Sequence, residues 1–588
     1  MSHRCLRTVR LALGIAMMNA AMMSAHGAFA AGLDYTVEIE APRELKQRLE
    51  KGLNIVRWRH DPEMNAERLK RLVDEAVRES REAAATEGYF SADVQSEVDS
   101  SGSPWVVKLK IEPGARTRVN DVQIRFIGPA ATDGEARPLL DRVREGWSLR
   151  PGQPFRQEEW DTAKRQALRT LSGWRYAATD IADSQASIDP EGRHASLFLE
   201  IESGPPFRFG ELRISGTKRY SDAIVKNLSS VRAGDVYDRE KLVLYQRRLL
   251  ESGYFASVQA EIDAQTTAAA ASPLRVAVIE APKHHFESGI GYNTDVGPKI
   301  EARYSNQDVF SSAWRFGSTL NLDQKIQNLQ LNLDTPPREG GVWNSFFTRA
   351  RAQDIQNEQI REIAFGHLYN MGAGAAPAAL VTSAHVEEQT IAGGESDHRY
   401  ALYFGVRKSF RKTDAFVSPR EGYVLSGEFG GSPEALSSRA FLRAIGNVSF
   451  FYPVRRDGDL LLRGQAGYVQ SSSRQGIPSA FLFRTGGDQT VRGYAFESLG
   501  VEQDGAIVGG RRLLVGSAEY TQWVGENWGI AGFVDAGNAW DSGVQTTIAT
   551  GYGMGARVRT PIGPIRADLA YGALISAWRI HFSVGYGF

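Results

Sequence analysis

From residue 284 to the C-terminus the chain alternates apolar with polar or small residues at a period of two. The last eleven residues show it most plainly: Trp578, Ile580, Phe582, Val584, Tyr586 and Phe588 share one face, and Arg579, His581, Ser583, Gly585 and Gly587 the other. Period two is the signature of a strand, and a tilted strand of this length spans a bilayer with aromatics at its two interfaces. Upstream, Ile565, Ala567, Leu569 and Tyr571 alternate with Arg566, Asp568 and Ala570. Residues 35–281 have another texture, in which charge-rich helical stretches are mixed with short strands. The change falls at Ala281-Pro282-Lys283, where proline disfavours helix in the residue before it.

The 305 residues from 284 to 588, at roughly 19 per strand with its turns and loops, predict a transmembrane antiparallel β-barrel of about 16 strands. An open edge in lipid would leave backbone groups unpaired, so the first strand, around Phe286, Ser288, Ile290 and Tyr292, must meet the last. Gly289 and Gly291 weaken that first strand, and the predicted lateral seam comprises Ser288, Gly289, Ile290, Gly291, Val584, Gly585, Tyr586 and Phe588. A seam that parts offers its edge to an incoming strand by β-augmentation.

In the first half, Gly88-Tyr89-Phe90, Gly173-Trp174 and Gly253-Tyr254-Phe255 recur at spacings of 85 and 80 residues. Each follows an amphipathic helix, such as the one carrying Leu242, Tyr245 and Leu249, and precedes strand-like alternation. Strands are also expected at Val122–Phe126, Ser196–Ile201, Glu211–Ile214 and Leu274–Ile279. The recurrence predicts three α+β modules, at 35–113, 117–204 and 207–281, each large enough for its own core.

Composition narrows the chemistry. With 69 Lys+Arg against 69 Asp+Glu the chain is formally neutral, so no nucleic-acid partner is expected. Residues 1–30 read as a signal peptide: Arg4, Arg7 and Arg10, an apolar stretch from Leu11 to Met23, then Ala28-Phe29-Ala30. Cys5, the only cysteine, lies within it. The mature chain is therefore expected to lack thiol chemistry, disulfides and zinc-thiolate sites. No further run of about 18 apolar residues follows. Neither a metallohydrolase, a serine-hydrolase nor a P-loop motif occurs, and His284-His285 reads as a solvated boundary. The expectation is a protein without enzymatic activity, cofactor or metal.

Gly486-Gly487-Asp488-Gln489-Thr490-Val491-Arg492-Gly493-Tyr494 resembles the loop signature of the BamA/TamA superfamily of outer-membrane insertases and transporters. Gly532-Phe533-Val534-Asp535-Ala536-Gly537-Asn538-Ala539-Trp540 is similar to its second barrel motif, 43 residues on from Arg492 to Asp535, and Pro561–Asp568 follows in family order. The three modules resemble POTRA domains. Three of them before a barrel of this length look most like the TamA branch, because BamA-type chains carry more and two-partner secretion transporters fewer, behind a plug helix. The closing strand departs from the family pattern in having Ser583 where glycine is usual.

The resemblance implies that the Val491, Arg492, Gly493, Tyr494 loop folds into the lumen, with Arg492 on Asp535 and on Glu519 from the preceding strand. It also implies an assembly factor of the cell outer membrane, with its modules in the periplasm. Its partners would be client outer-membrane proteins, outer-membrane lipid and a TamB-like periplasmic protein anchored in the inner membrane, docking on module 207–281. The alternative is a two-partner-type secretion transporter that passes an unfolded protein through the lumen.

Overall fold

The computed structural model describes residues 32–372, 376–415, 419–455, 457–525, 527–541, 543, 546–560 and 565–584; the predicted signal peptide therefore lies outside the described residues. The chain divides into two compact units. One runs to Arg208 with the short segments Val236–Asp238 and Ala264–Ala270, and the other holds Phe209–Asp235, Arg239–Asp263 and everything from Ala271 onward.

One βααββ plan recurs three times. In the first copy the strand Tyr35–Glu40 is followed by helices, chiefly Arg43–Gly52 and Ala66–Thr86, and then by strands Asp93–Asp99 and Trp105–Glu112. The last strand sits centrally, parallel to the first and antiparallel to the second. Strands Arg118–Ile127, Asp180–Asp189 and His194–Glu202 repeat that order, as do Phe209–Ser215, Phe255–Ile262 and Ser272–Glu280. Because one helix face packs on each sheet, the buried positions follow the helical period, as with Leu69, Val73, Ala76 and Ala84 in the first copy. The recurring glycines are not equivalent, however. Gly88 and Gly253 adopt φ of +89° and +76°, whereas Gly173 keeps helical geometry and Arg175 turns the chain at +66°.

Four residues after Glu280 the barrel begins. Its closed sheet has 16 strands, from His284–Asn293 to Ala577–Val584, each antiparallel to its neighbours. Alternation separates the faces. In strand Trp528–Trp540, Ala531, Phe533, Asp535 and Ala539 are buried, whereas Ile530 and Val534 are exposed. On the closing strand Trp578 and Ile580 face outward and His581 inward.

Within the barrel's unit, the third module is tied to the barrel strands by side chains. Tyr220 Oη donates to the Gln307 carbonyl at 3.1 Å, Tyr254 Oη to Ala313 at 2.7 Å and Asn227 Nδ2 to Pro337 at 2.9 Å.

Candidate functional site

The eleventh and twelfth barrel strands, Gly458–Gln470 and Arg512–Trp523, are joined by a long segment that folds back inside the wall. Its Ile477, Phe481, Val491 and Tyr494 are buried against Tyr403, Phe441, Leu513 and Val515 of the inward face. The Phe481 ring lies 4.8 Å from that of Tyr403 and 4.9 Å from that of Phe441. This apolar patch holds the segment in the lumen, and buried polar anchors orient it.

Arg492 is the centre of the first anchor and is only 2 % exposed. Its guanidinium grips Asp535 as a fork, Nε to Oδ2 at 2.7 Å and Nη2 to Oδ1 at 2.9 Å, and its own backbone N–H donates to the same carboxylate. Nη1 donates to Glu519 at 2.6 Å and, more weakly, to Asp568 at 3.4 Å. The ring of Phe533 lies under the guanidinium, 3.4 Å away. A second arginine, Arg557, completes the cluster with two bonds to Glu519, at 3.0 and 2.8 Å, and two to Asp568, at 2.5 and 3.2 Å. Two cations therefore share three carboxylates, each with several charge-assisted bonds, which is the condition under which a buried ion cluster offsets its desolvation.

Backbone shape determines how closely the loop approaches. Gly493 has φ of +94°, and a Cβ there would stand 2.8 Å from the backbone nitrogen of Gly572. At Gly551 a Cβ would meet the carbonyl oxygen of Arg492 at 1.8 Å. The loop thus lies directly on strand backbone, a contact that glycine alone permits. Tyr494 completes the seat: its hydroxyl donates to the Thr550 carbonyl at 3.1 Å and accepts from the Leu574 amide at 3.0 Å.

A second anchor grips the loop from the seventh and eighth strands, Ala378–Ile391 and Ser396–Thr413. Glu387 accepts both the amide and the hydroxyl of Ser479, at 2.8 and 2.9 Å, and Arg399 donates to the Ile477 carbonyl. Arg484 of the loop pairs with Glu358 and Glu497, each at 2.7 Å.

The structure thus brings together Val491, Arg492, Gly493 and Tyr494 with Asp535 and Glu519. Sequence reasoning missed Arg557, Asp568 and the Glu387 anchor. Asp568 was visible as a charge facing away from Leu569 and Tyr571, but its partner depends on strand register.

At the seam, the first strand pairs with the last only at Tyr292 with Val584 and Asn293 with Ser583 among the described residues. A cavity of about 720 Å³ opens beside Ser288, Gly289, Ile290, Gly291 and Val584. Ile290 is 83 % exposed. Gly585, Tyr586 and Phe588, assigned to the seam from sequence, lie outside the described residues.

The profile of the Omp85 superfamily domain matches residues 293–588, half of the chain. The chain belongs to the Omp85 superfamily. Two POTRA profiles match this Omp85 protein's modules: POTRA domain TamA domain 1 at residues 37–113 and the surface antigen variable number repeat at 207–274. The outer membrane protein assembly factor BamA of Neisseria meningitidis serogroup B is 22 % identical over 448 residues, covering 70 % of this chain and 55 % of that protein. BamA of Nitratidesulfovibrio vulgaris is 22 % identical over 517 residues, 82 % of this chain and 63 % of that one. This Omp85 chain therefore spans between half and two thirds of the length of either relative. The crystal structure of BamA from Haemophilus ducreyi lacking POTRA domains 1–3 shares the fold, with a TM-score of 0.55 at 14 % identity over 80 % of this chain and all of that one. The architecture is POTRA domains in the periplasm followed by a 16-stranded barrel in the outer membrane.

Proposed function

We propose that this Omp85 protein is an assembly factor of the TamA type, which inserts and folds β-barrel or autotransporter clients by strand addition at the opened seam. The first barrel strand carries this reading, with Gly289 and Gly291 along its edge and a cavity of about 720 Å³ beside them. Strand edges hold by backbone bonds and cross-strand pairs, and glycine supplies no side chain to such a pair, so the edge carrying Gly289 and Gly291 opens at lower cost than ladders between larger side chains. A client strand that replaces the lost pairing supplies free energy from its own folding, and no covalent chemistry or cofactor is required. The match of residues 37–113 to the first TamA POTRA domain supports the TamA branch. The names of the BamA relatives support assembly of outer-membrane proteins as the general task.

Module 207–281 is the proposed dock for a TamB-like periplasmic protein anchored in the inner membrane, and outer-membrane lipid would surround the opened edge. The lumen-filling loop argues for insertion at the seam over secretion through the lumen, since a conduit would have to eject a segment anchored on two parts of the wall.

The test places a photoreactive side chain at Ile290 in growing cells and identifies what it captures. Capture of the terminal strands of other barrels is the expected result. Capture of its own last strand alone, with a lumen probe trapping an extended exported protein, would replace this reading by the transporter.

A further inference from the structure

One buried imidazole touches both sides of the seam and the loop behind it. His581 lies on the closing strand and is 2 % exposed. Its Nε2 accepts the Gly493 N–H at 3.0 Å, so the neutral ring carries its proton on Nδ1. That nitrogen faces Asp295 Oδ1 at 3.5 Å, just beyond the first barrel strand, and neither atom has a closer partner among the described residues.

The other oxygen of Asp295 accepts the Asp488 amide at 2.7 Å, and Asn293 Nδ2 donates to the Asp488 carboxylate at 3.0 Å. Asn293 is itself the seam residue paired with Ser583. The approach is close: a Cβ on Gly487 would stand 2.5 Å from Asp295 Oδ2. The loop therefore holds the first strand through Asp488 and the last through Gly493, with the His581–Asp295 couple bridging the strands between them. Parting the strands must break one of these contacts, and breaking the Gly493–His581 bond strands a buried polar atom.

We propose that residues 487–493 are a staple across the seam, positioned by His581 and Asp295, so that strand parting and loop undocking are one coupled event. The proposal rests on the seam-opening reading and adds what controls it.

The test uses the full chain in outer-membrane lipid vesicles with the registered pair Tyr292→Cys and Val584→Cys. Trypsin cleavage after Arg492 reads undocking, because that bond is buried only when the loop is seated. The rate of disulfide formation reads seam closure. Loss of a buried hydrogen-bonded partner predicts that His581→Ala speeds cleavage at least about tenfold and slows disulfide formation.

Oxidising the pair in His581→Ala should return cleavage to the wild-type rate, which a merely structural defect would not allow. His581→Gln, whose amide can accept from Gly493 and donate towards Asp295, should behave as wild type. If His581→Ala fails to assemble, Asp295→Asn is read in the same way. Cleavage that is unchanged, or that rises equally with the seam locked, overturns the staple. Client assembly by the locked protein would instead overturn the seam-opening function and leave the staple standing.

Discussion

Arg492 is buried because five donors in a planar fork can satisfy carboxylates from several directions at once, which a lysine ammonium cannot do. Arg492→Ala leaves Asp535 and Glu519 short of a cation and should cost ~3–5 kcal/mol of loop docking. Arg492→Lys keeps the charge but loses the fork and should fall between the two. Hydrogen exchange of the 487–494 amides measures both, with wild-type protection in Arg492→Ala as the result that would reject the docking role. Gly551→Ala is a steric counterpart that touches no charge. Its Cβ would collide with the Arg492 carbonyl, so the same amides should lose protection while the wall strands keep theirs. Arg492 and Asp535 were legible because a loop motif and a strand motif carry them, and Glu519 as an acid on the strand before the second motif. Arg557 was not, since an inward arginine on a strand has the same sequence pattern whether it faces water or a carboxylate.

Among the elements, the third module shows how a strand end controls a turn. The Glu280 carboxylate, at the end of strand Ser272–Glu280, accepts the backbone N–H groups of Lys218, Arg219 and Tyr220 at 2.8, 2.8 and 3.1 Å. Burial pushes its pKa up, but these donors and the Arg219 guanidinium outweigh burial and hold it below the ordinary carboxylate value. A carboxyl with a depressed folded pKa stabilises fully above its unfolded value and loses that contribution as pH falls through the folded one. Protection of the Lys218–Tyr220 amides should therefore decline only in acid, below the usual glutamate range. Glu280→Gln should be weaker at neutral pH and flat across that window; an acid loss that persists in the variant would assign it to another group. The helix and strand periods of this module were visible in the sequence, but nothing in Glu280's neighbourhood announced a contact some sixty residues back.

For the whole molecule, closure is the property that matters, because the barrel needs every edge paired and the proposed function needs one edge free. A disulfide between Tyr292→Cys and Val584→Cys should abolish client assembly in a purified reconstitution and release it on reduction. Assembly at full rate in a fully oxidised sample would exclude the seam. The same chain should tolerate a disulfide across an ordinary hairpin, such as Arg349→Cys with Ala364→Cys in the adjacent strands Trp343–Ile355 and Glu358–Met371, without loss of assembly.

The sequence by itself determined the architecture: period-two alternation over 305 residues allows a bilayer barrel, and the repeated glycine–aromatic spacing marks the modules. Both are local signals, set by which face of an element meets lipid or core. Tertiary structure alone decided the partners of Arg557, Glu387 and His581. Strand register places Arg557 between Glu519 and Asp568, and chain reversal places Glu387 against Ser479. Barrel closure brings His581 to Asp295, 286 residues away in sequence. These contacts depend on where distant strands are brought in space, which residue periodicity does not encode.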